Sequence, residues 1–126
     1  MKALVVDDSR AARSIVRRIL DELGCDVTEA GDGRDAIERL RAAGTPDVVL
    51  VDWNMPEMNG VEFIRQVRAN PDWRGLRVVM VTTEVERPHI ALAMAAGADE
   101  YVMKPFTRDI LLGKLQAIGV AGVPSA

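Results

Sequence analysis

Cysteine is almost missing from this chain. Cys25 stands alone, so no internal disulfide can form, and a cytoplasmic, reducing compartment is expected. Its expected role is that of a small buried residue near a helix end. Histidine is just as scarce: His89 is the single one, expected on the surface in the first turn of a helix. Long apolar runs are absent as well. The longest reach about five residues, where a membrane helix needs ~20. Strand-like sequence begins at Lys2, so no signal peptide is expected. Positive charge is not in excess: 16 Lys and Arg face 19 Asp and Glu, for a net charge of −3. That argues against nucleic acid as the main partner, and neither nucleic acid nor a membrane is expected to bind.

What is present is enough apolar sequence for one full core. With 126 residues, 48% of them hydrophobic, the chain is the size of one ordinary α/β domain. Ala3-Leu4-Val5-Val6 is apolar at every position, as in a strand buried on both faces. Ser9 or Asp8 can cap the helix that follows, whose stripe is Ala12, Ile15, Val16, Ile19, Leu20 and Leu23, ending at Gly24. Asp26–Ala30 is a weaker strand, suited to a sheet edge. A helix carrying Ala36, Ile37, Leu40 and Ala43 ends at Gly44 and Pro46.

The third strand, Asp47-Val48-Val49-Leu50-Val51, stops at a carboxylate, Asp52. A turn through Pro56 and Gly60 leads to a helix with Val61, Ile64 and Val67 inside, closed by Asn70-Pro71. Trp73 is expected to pack in the loop beyond it. Arg77–Val81 is a fourth strand ending in Thr82-Thr83-Glu84. A helix follows from about Glu86 to Ala96, where Pro88 fits only because it lies in the first turn. Glu100–Met103 is a short fifth strand, followed by Lys104-Pro105, a helix over about Thr107–Ile118 and a frayed tail, Val120–Ala126. Five alternations of strand and helix with short connections predict a parallel sheet covered on both faces.

The polar residues at the strand ends carry the chemistry. Asp7 and Asp8 follow the first strand, Asp52 the third, Thr82 the fourth and Lys104 the fifth. In the doubly wound order 2-1-3-4-5, strands one and three are neighbours, and the three carboxylates share the crevice at the switch point. Three carboxylates so placed repel one another. Oxygen donors without nearby histidine or cysteine favour Mg²⁺ over zinc or copper, with Mn²⁺ as a substitute. Lys104 and Thr82 complete a set able to hold a phosphoryl group on Asp52, as an aspartyl phosphate. Singly, Asp8 or Thr82 would be a helix cap and Lys104 a solvated surface group. Together they are hard to obtain by chance.

Val5-Val6-Asp7-Asp8-Ser9, Val51-Asp52-Trp53-Asn54-Met55-Pro56, Val81-Thr82-Thr83-Glu84 and Tyr101-Val102-Met103-Lys104-Pro105-Phe106 resemble the receiver domain of two-component response regulators, in particular its single-domain, CheY-like chemotaxis type. The resemblance implies a flavodoxin-like (βα)5 fold over residues 1–119, with 120–126 as a tail. The 2-1-3-4-5 order is carried over from the chemotaxis regulators, an established instance of it. It also implies that Asp52 is the phosphoacceptor, with Asp8, Asp52 and the backbone carbonyl of Asn54 as Mg²⁺ ligands and Asp7 acting through water. Thr82 and Lys104 would contact the phosphoryl group, Thr82 and Tyr101 would switch, and the Lys104-Pro105 bond would be cis.

The implied donor is a phosphohistidine on a sensor kinase or phosphotransfer protein. The implied output is a monomer's binding of a protein target, such as the flagellar motor switch, through Ile90, Met94, Tyr101, Val102 and Lys114. Asn54 and Glu84 match the residues beside the site in fast-hydrolysing members, implying a short-lived phosphoryl state. Trp53 is expected near the site as a fluorescent reporter. Thr83 stands where alanine is usual, altering the surroundings of the switch, and Asn59 replaces a common aspartate as a turn variant. Glu86 and Arg87 stand where chemotaxis members tend to have two lysines, which sets the motor target in question.

Arg10, Arg13, Arg17 and Arg18 read as a solvated face of the first helix, or as a docking face for the kinase. Three rival functions remain at this point. A Mg²⁺-dependent phosphatase with an aspartyl-phosphate intermediate would need an Asp-x-Asp motif and a cap domain. A binding module with a dead site would lack the acceptor or the lysine. A phosphorelay intermediate or phosphate sink would have no output of its own.

Overall fold

The computed structural model describes residues 1–83 and 88–120. Its strands are β1 Lys2–Val6, β2 Asp26–Ala30, β3 Val48–Asp52, β4 Arg77–Thr82 and β5 Glu100–Met103, and its α-helices are α1 Arg10–Glu22, α2 Gly33–Ala43, α3 Gly60–Ala69, α4 Ile90–Ala96 and α5 Arg108–Ala117. The strands are parallel and ordered β2-β1-β3-β4-β5, which places β2 at an edge, as its composition predicts. β3 lies in the middle, with Val48, Val49, Leu50 and Val51 all at 0% exposure, which is why it reads as a continuous apolar run.

Alternation along the central strands sorts the core into two layers. Leu4, Val6, Val49 and Val51 pack against Ile37 and Leu40 of α2, Phe63, Ile64 and Val67 of α3, and Ala93 of α4. Ala3, Val5, Val48 and Leu50 pack against Val16 and Leu20 of α1 and Leu111 and Leu115 of α5. Helices therefore cover both faces, and the connections leaving β1 and β3 go to opposite sides. That reversal opens the crevice beyond their C-terminal ends. The short connections start with capped helices: the side chains of Ser9, Asp32, Asn59 and Thr107 each accept an amide hydrogen bond at the first turn of α1, α2, α3 and α5. Asn59 is thus a helix cap as well as a turn residue.

Four expectations need correction. Ile15 is 64% exposed although it sits on the apolar stripe of α1, because the adjacent Val16 takes the inward position. Val120 is buried at 7% beneath α5, its amide bonded to the Leu115 carbonyl, and so is not part of a frayed tail. Trp73 is 5% exposed and belongs to the core, inserted by the short 3-10 turn Pro71–Trp73. His89 is half-buried and stacked on an indole, not free on the surface. The expected start of the fourth helix, with Glu86 and Arg87, lies outside the described residues, as does Glu84.

Candidate functional site

The register brings the strand ends to one edge. Val6 pairs with Val51, and Asp52 pairs with Val81, so Asp7, Asp52 and Thr82 come within one residue of the same level. Asp7, Asp52 and Thr82 are buried at 3%, 8% and 1%, while Asp8 is exposed. Ligand oxygens of Asp7, Asp8 and Asp52 all lie within 4.8 Å of one another.

A cation spans this cluster. Lys104 Nζ is 3.1 Å from Asp7 Oδ2 and 3.3 Å from Asp52 Oδ1. Its amide donates to the Thr82 carbonyl at 2.7 Å, which ties the start of this loop to the end of β4, and the Lys104-Pro105 bond is cis. Burial, the largest single influence, pulls the Lys104 pKa down. The attraction of Asp52 and Asp7 together outweighs it, and the group ends above its ordinary value of 10.5.

Asp7 is held on every side. Its amide donates to Ala30 O, its Oδ1 accepts from the Ser9 amide at 2.8 Å, and its carbonyl accepts from Arg13 Nη1 at 2.6 Å. Arg13 therefore leaves the solvated face expected for it. Its side chain is 17% exposed, because Glu29 on β2 draws it inward at 3.2 Å. Arg17 reaches the same carboxylate at 2.6 Å. No periodicity marks Arg13, since its partners lie on β1 and β2.

Around Asp52 the backbone is equally constrained. The Trp53 amide donates to Val81 O at 3.1 Å and its carbonyl accepts from the Gly60 amide at 3.0 Å. Gly60 has no side chain for a reason: a Cβ there would stand 2.8 Å from the Asp52 carbonyl oxygen. The Trp53 ring is half-buried and stacks on His89, with centroids 4.0 Å apart and planes at 11°. Asn54 is exposed beside it. Thr82 Oγ1 donates to the Thr83 carbonyl at a long 3.4 Å.

This arrangement of an acidic triad bridged by a lysine decides the affiliation, and sequence comparison agrees with it. Residues 3–116 match the family model of the response regulator receiver domain. The chain belongs to that receiver family. It is 42% identical over 119 residues to the chemotaxis protein CheY1 of Helicobacter pylori, covering 94% of this chain and 96% of that one. Among solved structures it resembles the Vibrio cholerae chemotaxis protein CheY4, with 36% identity, a TM-score of 0.84, and coverage of 93% of this chain and 97% of that one. A receiver domain of a Pseudomonas aeruginosa sensor histidine kinase, solved with a magnesium ion coordinated in its active-site cleft, is 26% identical with a TM-score of 0.83, over 94% and 97% of the two chains.

The receiver is thus of the single-domain CheY-like type, and its family binds Mg²⁺ at this acidic pocket. The donors here fit such an ion: three carboxylates, close enough to share one hard cation, with no nitrogen or sulfur ligand among the described residues. No described helix is long and apolar enough to cross a membrane.

The expected output face is only partly a surface. Ile90 and Tyr101 are half-buried, Met94 is 41% exposed, and Lys114 is half-buried with its ammonium 4.4 Å from the Tyr101 ring centroid. Val102 is 1% exposed and packs among Val79, Val81 and Leu111, so it cannot touch a partner as expected. β5 has a neighbour on one edge only, but the side chain at 102 points into the layer beneath α5. Leu92 of α4 and Ile110 of α5, each 50% exposed, are apolar residues of this region that periodicity did not single out.

Proposed function

We propose that this receiver accepts a phosphoryl group on Asp52 from a phosphohistidine of a sensor kinase or phosphotransfer protein, and that the phosphorylated form changes protein binding on the α4–β5–α5 face. The observation that carries the proposal is the Lys104 ammonium held between Asp7 and Asp52 at the mouth of a three-carboxylate cluster.

In the transfer, an Asp52 carboxylate oxygen forms a bond to phosphorus as the phosphorus–nitrogen bond breaks. The electron pair returns to the departing imidazole, which takes its proton from solvent. Lys104 offsets the charge on one phosphoryl oxygen, and the Thr82 hydroxyl donates to another. Asp7, Asp8, Asp52 and the Asn54 carbonyl are the residues to hold Mg²⁺, which when bound supplies positive charge to the acidic cluster and to the phosphoryl oxygens. Thr82 and Tyr101 act as the switch pair. Trp53, Asn54, Thr83 and Glu84 modulate the lifetime of the acyl phosphate. Ile90, Met94, Tyr101 and Lys114 provide the partner surface, and the docking face for the donor is the arginine-bearing α1.

A chemotaxis or motility pathway is the setting favoured by the likeness to CheY1, with a monomer acting in the cytoplasm. Incubation with acetyl phosphate and Mg²⁺, followed by intact-mass measurement, tests the core of this reading. A single phosphoryl adduct on the wild type and none on Asp52→Asn is the expected result. An adduct that survives Asp52→Asn would overturn it.

A further inference from the structure

Among the described helices, α1, α2, α3 and α5 begin with a side-chain cap, and α4 does not. His89 stands at the cap position immediately before Ile90, in helical conformation with φ −79° and ψ −12°, and its side chain makes no capping hydrogen bond. Little apolar burial replaces the cap, since Ala93 is the one buried residue of the helix.

The two ends of α4 are held by different means. At the C-terminal end, the Gly97 amide closes onto Ala93 and Met94, and Arg68 Nε donates to the Gly97 carbonyl at 2.9 Å. The same guanidinium pairs with Asp99 at 2.8 Å and with the Leu76 carbonyl at 2.7 Å, anchoring that end to α3 and β4. At the N-terminal end, the described contact is the His89 imidazole lying flat on Trp53. Trp53 is no loose surface ring. It sits between Asp52 and Asn54, and its amide and carbonyl are both hydrogen-bonded to Val81 and Gly60.

We propose that His89 is a positioning residue: its stack on Trp53 holds the start of α4 against the loop that follows Asp52. The contact gives the site a mechanical connection to α4 that runs through neither Thr82 nor Tyr101. Breaking the stack releases the N-terminal end of α4 while Arg68 retains the other end, so the helix pivots. The role of α4 as an output surface rests on the function proposed above; the holding of α4 by the stack does not.

The test is amide hydrogen exchange, followed by mass spectrometry on the full unphosphorylated chain, for wild type, His89→Ala and His89→Phe. An aromatic pair biases such an opening equilibrium by roughly two- to tenfold. Exchange over Ile90–Ala96 is therefore expected to quicken by that factor in His89→Ala, with Phe63–Val67 of α3 unchanged. His89→Phe, which keeps a flat ring, is expected to restore the wild-type rate. Three results would overturn the proposal: an unchanged α4 in His89→Ala, equal quickening throughout the chain, or no rescue by phenylalanine. If acetyl phosphate leaves no adduct on Asp52 while His89→Ala still quickens α4, the reading of Asp52 fails and the stack's role stands.

Discussion

Lys104 Nζ lies 3.3 Å from Asp52 Oδ1, although 52 residues separate them in the chain. The ammonium does two opposed things. It neutralises the buried carboxylates in the resting protein, and it occupies oxygens that a divalent cation also needs. Lys104→Met should therefore bind Mg²⁺ more tightly than wild type while accepting phosphate from acetyl phosphate about a hundredfold more slowly, the cost of losing one well-placed donor. Parallel movement of both quantities would show that Lys104 acts in another way.

The same residue sets an alkaline limit. Because the folded state raises the Lys104 pKa above 10.5, its contribution to stability is complete below that value and fades as pH climbs through the raised one. Denaturant melts at increasing pH should show wild type losing stability above about 10.5 by a component that Lys104→Met lacks.

Asp8 is the exposed member of the acidic cluster, so it can be changed with little effect on packing. Asp8→Asn is expected to weaken Mg²⁺ by roughly ten- to a hundredfold or more, as loss of even an indirect contact does in metal sites. Trp53 emission, titrated with Mg²⁺ and reversed with chelator, measures this. An unchanged titration would remove Asp8 from the ligand set.

Glu29 gives a signal at the acid end. A hydrogen bond from Arg17, opposed by partial burial and reinforced by Arg13, holds its pKa below the ordinary 4.5. The stabilisation is present above that value and is lost as pH falls through the lowered one. Glu29→Gln should be less stable than wild type at neutral pH, and the difference should close on acidification below 4.5. Urea midpoints across that range decide it.

Two glycines should respond in opposite directions to the same substitution. Gly60→Ala forces a methyl to within 2.8 Å of the Asp52 carbonyl oxygen and of Met80 Cε, and should cost about 1–3 kcal/mol. Gly113→Ala, in the middle of α5 with nothing within 4 Å, should stabilise by about 1 kcal/mol through helix propensity. Thermal melts of the two variants should therefore move apart around wild type.

How much was legible follows from the range over which each signal acts. Asp7, Asp8, Asp52, Thr82 and Lys104 could be read because each ends an apolar run, and the end of a run is a local pattern. Ile15 could not be placed, since a stripe identifies a helix face only to about one residue step of 100°. The inward turn is then taken by Val16. Val102 is a similar case: a short edge strand alternates its side chains, but which set turns into the layer beneath α5 depends on how β5 docks on β4.

By itself, the sequence determined the alternation of strands and helices, a cap for the first helix at Ser9 or Asp8, and the chemical type of the site. Those depend on periodicity and on side-chain hydrogen bonds within one turn. The caps at Asp32, Asn59 and Thr107 emerged with the structure. Only the tertiary structure decided that Lys104 bridges Asp7 and Asp52, that Arg13 bends from the surface onto the Asp7 carbonyl, and that His89 lies on Trp53. The first and the last join elements distant in the chain, and Arg13 is drawn inward by Glu29 on β2. Their meeting depends on strand register and on the rotation of each helix against the sheet, which the packing of the whole core selects and no local pattern encodes.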